Sequence, residues 1–299
     1  MSPRHFIVAA CQYPIERLAT PLAWEDKLQH WVSEAAHEGA KLVVFPEYAS
    51  LELAGLHATS ARAEDPRVEL SSIQPSFERY LEAHSRLAVK YGLHILSASF
   101  PERVGTSFRN RARLFTPRGA HAYTEKLQMT RFETELWGIE PGSEARVFAT
   151  ELGALGVTIC YDAEFPLLAR RQVEAGAQIV LVPSCTDSLR GFQRVRIACQ
   201  ARALENQCYV VQAVTVGRAA WSSALDENHG AAGVYAPPDV GFPETGVIAQ
   251  GRIDSAQWIY AELDLEAIER VRTEGQVFVH RDFSNRVHHA GQVEIVNLT

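Results

Sequence analysis

The sequence predicts an α/β protein, and three observations carry that reading. Short apolar runs recur along the chain, amphipathic helical segments separate them, and the runs tend to stop at a proline or a polar turn. Residues 6–11 read as a first strand. Thr20 then caps a helix opened by Pro21, whose Trp24, Leu28, Trp31 and Ala35 fall on one face. A buried strand at 41–45 follows and stops at Pro46. Residues 53–75 lack periodicity and mix acidic, proline and serine positions, which reads as a long loop near the mouth of a site. A helix at about 76–91 turns Phe77, Leu81, Leu87 and Ala88 inward, and 94–100 forms the next strand. Strands are expected near 111–116, 120–124, 146–149 and 154–159, then a helix at 166–175, a strand at 178–182 and a long helix near 190–206. Later strands fall at 208–215, 231–235, 247–250 and 257–263.

One stretch repeats. Residues 39–46 align with 176–183 without a gap, each following a helix-like segment and each ending its strand in proline. Convergence on a common helix–glycine–strand unit accounts for this, and so does a pseudo-symmetric arrangement of two halves. On the second account Glu47 and Ser184 occupy equivalent strand ends, and residues 184–188 line a pocket.

Composition narrows the class. The chain has 299 residues, 46% hydrophobic and 22% charged, enough for a sizeable core and read as one domain because nothing marks a linker. The net charge of -7 argues against nucleic-acid binding, which needs clustered lysine and arginine. No apolar stretch approaches the ~20 residues that span a bilayer. The apolar patch near the start is broken by Gln12, Pro14, Glu16 and Arg17, too early for a signal peptide. Five scattered cysteines (Cys11, Cys160, Cys185, Cys199, Cys208) without a C-x-x-C pair point to reduced thiols in a cytoplasmic protein, with no metal site and no cofactor. The adjacent His288 and His289 read as an exposed tail segment rather than a metal site.

Cys160 ends the apolar run 155–159 and precedes a turn and a helix opened by Pro166. A thiol there feels the positive end of a helix, which favours thiolate and nucleophilic attack. A buried free cysteine is the plain alternative. Glu47 follows the strand that stops at Pro46, and Lys126 ends the strand-like segment 122–127. In chain order this gives Glu, Lys and Cys, each at a strand edge, where open α/β sheets build their sites.

The stretches VVFPEYAS around Glu47, YTEKLQMTRFE around Lys126 and GVTICYDAEFP around Cys160 resemble those of the nitrilase superfamily of carbon–nitrogen hydrolases. IVLVPSCTDS and ARALENQCYVV further on are similar to segments that follow the nucleophile in that family, so the resemblance runs from about residue 6 to about 264. It implies a four-layer α-β-β-α sandwich with a Glu47–Lys126–Cys160 triad. It also implies a second glutamate after the lysine. Glu133, Glu135 and Glu140 compete for that role, and the spacing back from Pro141 selects Glu135, with Glu133 next.

In such a triad Glu47 takes the thiol proton and later activates water. Lys126 and the backbone N–H of Tyr161 face the oxyanion. Cys160-Tyr161-Asp162 resembles the amidase and carbamoylase branches, so a small amide or N-carbamoyl substrate is expected ahead of a nitrile. Tyr48, Trp137, Tyr161, Glu164, Ser184 and Cys185 are the pocket candidates. Arg190, Arg194 and Arg196 read as a solvated helix face or as a grip on a substrate carboxylate. A silent binding protein and a redox-sensing thiol protein remain the alternatives. The resemblance implies a homodimer or larger assembly, with residues 275–299 pairing between subunits through a strand in which Val293 and Ile295 alternate, flanked by Val287 and Leu298.

Overall fold

The structure is a computed structural model that describes residues 5–57, 65–286 and 295–298. Its strands are β1 (His5–Pro14), β2 (Ala40–Val44), β3 (His94–Leu96), β4 (Phe100–Val104), β5 (Ser107–Phe115), β6 (His121–Glu125) and β7 (Val147–Thr150). They continue as β8 (Gly153–Val157), β9 (Ile179–Ser184), β10 (Tyr209–Arg218), β11 (Glu227–Asn228), β12 (Gly233–Tyr235), β13 (Val247–Gln250) and β14 (Gln257–Asp264). The helices are α1 (Pro21–His37), α2 (Pro66–Ser72), α3 (Phe77–Tyr91), α4 (Pro166–Glu174), α5 (Leu189–Asn206), α6 (Leu265–Glu274) and α7 (Val279–Arg286).

Two sheets follow the same path. In the first, β1, β2 and β3 run parallel, with β14 antiparallel beside β1 and β5 antiparallel beside β3. In the second, β8, β9 and β10 run parallel, with β7 antiparallel beside β8 and β12 antiparallel beside β10. The repeated sequences 39–46 and 176–183 are thus the middle strands of two matching halves. The halves join where Gln12–Pro14 of β1 pair in parallel with Val214–Val216 of β10.

Side-chain alternation sorts the layers. From β1, Ala9, Cys11 and Tyr13 pack with Trp24, Leu28 and Trp31 of α1 and Leu87 of α3. Phe6, Val8 and Ala10 point the other way, into a cluster shared with Leu42, Val157, the 179–182 run and Val195 of α5. The order is helix, sheet, sheet, helix, the four-layer sandwich that the resemblance implies. β2 and β9 are buried on both faces and accordingly read as continuous apolar runs.

Several elements differ from expectation. Both described ends of the segment 53–75 are helical where a loop was expected: a 3-10 helix covers Ala49–Leu56, and α2 starts at Pro66 with the Asp65 carboxylate accepting from the Arg67 N–H; residues 58–64 lie outside the described residues. These pieces are too short for periodicity to register. α3 buries Tyr80, Ala83 and His84 with Leu87 and Ala88, while Phe77 and Leu81 are only partly covered. The strand expected at 94–100 is two strands, and the one expected at 154–159 ends at Val157. α6 and α7 were not expected at all.

α7 lies on its own chain, where Arg170 donates to the His280 carbonyl (3.0 Å) and the His280 N–H donates to Gln207 Oε1 (3.1 Å). Of the expected tail segment, 279–286 is helical, and Ile295 and Leu298 are exposed. Val287, Val293, His288 and His289 lie outside the described residues. Among the described residues no helix is long and apolar enough to cross a membrane.

Two substitutions test this layering by urea denaturation. Leu42 is fully buried between the sheets, so Leu42→Ala should cost about 2–5 kcal/mol. The Thr20 hydroxyl caps α1 by accepting from the Ala23 N–H at 3.1 Å, so Thr20→Ala should cost only about 1 kcal/mol.

Candidate active site

The carboxyl ends of the parallel strands converge on one buried cluster. Glu47 leaves β2 through Pro46, Cys160 leaves β8, and Cys185 follows β9. Lys126 arrives from the antiparallel β6, held by its own N–H on the Asn110 carbonyl (2.9 Å) and its own carbonyl on the Gly142 N–H (2.8 Å). Glu47 and Lys126 are each 1% exposed and Cys160 is 4% exposed, so the cluster is essentially dry.

Lys126 Nζ donates to Glu47 Oε1 and to both oxygens of Glu133, each at 2.8 Å. Glu47 Oε1 also accepts from Asn110 Nδ2 at 2.9 Å, and its Oε2 accepts from the Cys185 N–H at 3.1 Å. Glu133 is further held by the Thr130 N–H and hydroxyl, both at 2.8 Å, and by the Tyr48 hydroxyl at 2.5 Å. The Cys160 thiol donates to the Cys185 carbonyl at 3.6 Å.

These partners separate two neighbouring carboxylates. Burial opposes charge on Glu133, but Lys126 and the hydrogen bonds from Tyr48 and Thr130 outweigh it and hold the carboxyl below its ordinary range. Burial pushes Glu47 up to about 7, because Lys126 is shared and Glu133 repels. Burial likewise opposes charge on Lys126, and the two carboxylates nevertheless keep the ammonium charged far above neutrality. A pair driven apart in this way can supply a fixed anion and a proton acceptor, and Glu47 has the environment of the second.

Cys160 departs from the expected thiolate. Burial and then Glu47 hold its thiol well above the ordinary range, against the pull of Lys126. It opens a 3-10 turn, Cys160–Glu164, while α4 starts only at Pro166, so the helix end is not at the sulfur. A thiol held in this way needs a base to become thiolate. Cys160 has φ 50° and Tyr48 has φ 57°, both left-handed without being glycine, a strain of about 1–3 kcal/mol each that the surroundings must hold.

The glutamate that lies against Lys126 is Glu133, whereas Glu135 lies away from it. Glu135 is half exposed and pairs with Arg131 at 2.8 Å on the surface. The sequence did carry the signal: Thr130-Arg131-Phe132-Glu133 is a capping box, in which Glu133 reaches back to the Thr130 N–H while its own N–H donates to the Thr130 hydroxyl at 3.4 Å.

Of the pocket candidates, Tyr48 and Trp137 meet edge to face at 5.1 Å, with Tyr48 tied to Glu133. Tyr161 packs on Phe165 at 5.0 Å. Glu164 accepts from Arg194 Nε at 3.1 Å, and Arg196 is turned to Gln250, so neither arginine is aimed at Cys160. Arg190 is exposed. Ser184 is buried, and its hydroxyl bonds back to the Val182 carbonyl. Cys185 reaches the cluster through its backbone, while its thiol contacts Asn228 Oδ1 at 3.4 Å. Asn110 and Asp162 were missed, because one lies inside a strand and the other looks like an ordinary turn acid. Among the described residues no group of three or more potential ligands is arranged for a metal ion. A cavity of about 380 Å³ at the other end of the strands, lined by His5, Lys41, His94 and Glu151 among others, touches none of these groups.

The comparisons with known proteins give the class to which this chain belongs. Residues 7–273 match the carbon-nitrogen hydrolase family, and the chain belongs to it. It is 31% identical over 283 residues to a probable hydrolase, YhcX, of Bacillus subtilis. That alignment takes in 94% of this chain but 54% of the relative, so the chain spans about half the length of that protein. It is 27% identical to human deaminated glutathione amidase, with 91% of this chain and 84% of that protein aligned. The carbon-nitrogen hydrolase of Helicobacter pylori G27 shares the fold, with a TM-score of 0.78 at 20% identity over 98% of this chain and all of that one.

Exchanging each glutamate separates the two positions. Glu133→Gln removes one charge from a buried pair and should destabilise by about 3–5 kcal/mol. Glu135→Gln touches only a surface pair and should change stability by less than about 1 kcal/mol in the same urea titration.

Proposed function

We propose that this protein hydrolyses a non-peptide C–N bond in a small amide or N-carbamoyl compound, using Cys160 as nucleophile. The observation that carries this reading is the buried cluster itself: Lys126 bridges Glu47 and Glu133 at 2.8 Å, and Glu47 and the Cys160 thiol both bond the backbone of Cys185. Burial pushes Glu47 up to about 7, which suits a base, while Glu133 helps keep Lys126 charged. As the Cys160 sulfur attacks the carbonyl carbon, its proton passes to Glu47. The oxyanion that forms faces the Lys126 ammonium and the Tyr161 N–H. Collapse breaks the C–N bond, and Glu47 returns the proton to the departing nitrogen, leaving a thioester on Cys160. Water then gives a proton to Glu47 and attacks the thioester, and the thiol leaves with that proton restored.

Glu133 positions Lys126 and balances its charge. Glu135 has no part in the reaction. Tyr48, Trp137, Tyr161 and Glu164 shape the entrance, with Cys185 contributing its backbone. Membership of the carbon-nitrogen hydrolase family and relatives named as amidases support an amide over a nitrile, as does the Cys-Tyr-Asp sequence at the nucleophile.

The test is ammonia release from small amides, N-carbamoyl amino acids and nitriles, with Cys160→Ala as control. Release from amides or N-carbamoyl compounds that the control abolishes supports the reading; release from nitriles alone replaces it with nitrile hydrolysis. No release, with Cys160 rapidly oxidised by peroxide, would favour the thiol-sensor alternative. Glu47 must be unprotonated to act as base, so kcat/KM for a substrate without ionisable groups should fall as pH drops through about 7. Lys126→Met should lower kcat by about 10²–10³.

A further inference from the structure

Asp162 lies two residues past Cys160 and is 2% exposed, and its oxygens bond main-chain N–H groups. Oδ1 accepts from the Gln128 N–H at 2.7 Å and the Leu127 N–H at 3.1 Å. Oδ2 accepts from the Ile159 N–H at 3.1 Å and from the Leu127 N–H at 3.3 Å. The carboxylate therefore grips the two residues after Lys126 with one side and the residue before Cys160 with the other. These two arms come from different strands, β6 and β8, in different halves of the sandwich. No ladder hydrogen bond joins those strands directly.

We propose that Asp162 is a positioning residue that sets the spacing between the Lys126 ammonium and the Cys160 sulfur. This rests on the reading of Cys160 as nucleophile. The bonding requirement is specific. Three backbone N–H groups converge on one side chain, and only a carboxylate offers two acceptor oxygens to them. Asparagine would present one oxygen and one NH2, and the NH2 would face an N–H. One arm must then come loose. The Ile159 bond also closes a ring over Cys160, whose left-handed backbone needs such support. A shift of about 1 Å between reacting groups is enough to cost about 10²-fold in rate.

The experiment compares Asp162→Asn with Ile268→Ala, a fully buried position on α6 far from the cluster in sequence, which should lose stability without moving the site. Two quantities are read beside the melting temperature. One is kcat and KM on the best substrate. The other is the pH profile of Cys160 alkylation by iodoacetamide, followed by peptide mass spectrometry. Asp162→Asn should lower kcat about 10–100-fold with KM within about threefold. Its alkylation at pH 8 should slow at least about fivefold, because a displaced Lys126 no longer draws the thiol towards thiolate. Ile268→Ala should keep both within about twofold. If Asp162→Asn matches Ile268→Ala in both readouts, the residue serves the fold alone and the proposal fails.

Should Asp162→Asn not fold, Asp162→Glu takes its place, keeping both oxygens but moving them by one methylene; the same losses are expected. Failure of both to fold overturns the proposal in favour of a structural role. If the unmodified protein releases no ammonia from any compound, the reading of its function fails on its own, and the alkylation profile still decides the role of Asp162.

Discussion

One ammonium shared between two buried carboxylates governs this structure. Lys126 is as deeply enclosed as any aliphatic side chain of the core, and a lone charge there would cost many kcal/mol. It is tolerated because Glu133 and Glu47 surround it and because further donors occupy the remaining carboxylate lone pairs. Every neighbouring feature follows from that need: the capping box that turns Glu133 inward, the Tyr48 hydroxyl on its oxygen, and the Asn110 amide against Glu47. With two anions and one cation enclosed, one carboxylate must be the weaker anion. The unequal sharing of donors selects Glu47.

The architecture makes this arrangement possible by bringing strand ends together. A carboxylate, an ammonium and a thiol on one face of a single strand would sit at every second residue, about 7 Å apart along it, and could not converge on one point. Here β2, β6, β8 and β9 each contribute one residue at or just beyond a strand terminus. There the backbone leaves the ladder and its N–H and carbonyl groups are free to bond side chains. Left-handed backbone at Tyr48 and Cys160 marks where the chain turns most sharply to do so. The stiffness of the two packed sheets behind the site holds these turns in place.

How much of this was legible in the sequence depends on the range of the interaction. The parallel strands and α1 declared themselves, because burial on one or both faces imposes a periodicity visible within a few turns. Glu47, Lys126 and Cys160 were legible through their strand-end context and their resemblance to a known pattern. Distance to a later proline points to Glu135, whereas the local hydrogen-bonding motif with Thr130 points to Glu133, the carboxylate that meets Lys126. α2 and the 3-10 helix after Tyr48 were invisible because they are shorter than the window that periodicity needs. Asn110 and Asp162 could not be found at all, since their partners lie far away in sequence and nothing local distinguishes them.

The bonds made by residue 185 have a consequence for how such a site can be altered. Its N–H secures Glu47 and its carbonyl receives the Cys160 thiol, so both groups are held by main-chain atoms that every residue but proline possesses. The side chain at that position points elsewhere, towards Asn228. Chemistry and side-chain identity are thereby decoupled at one wall of the site. That wall is interchangeable in a way the opposite one, formed by Glu133 and Tyr48, is not. Remodelling of the cluster's surroundings has a natural starting point here, where the backbone keeps its bonds whichever side chain is installed.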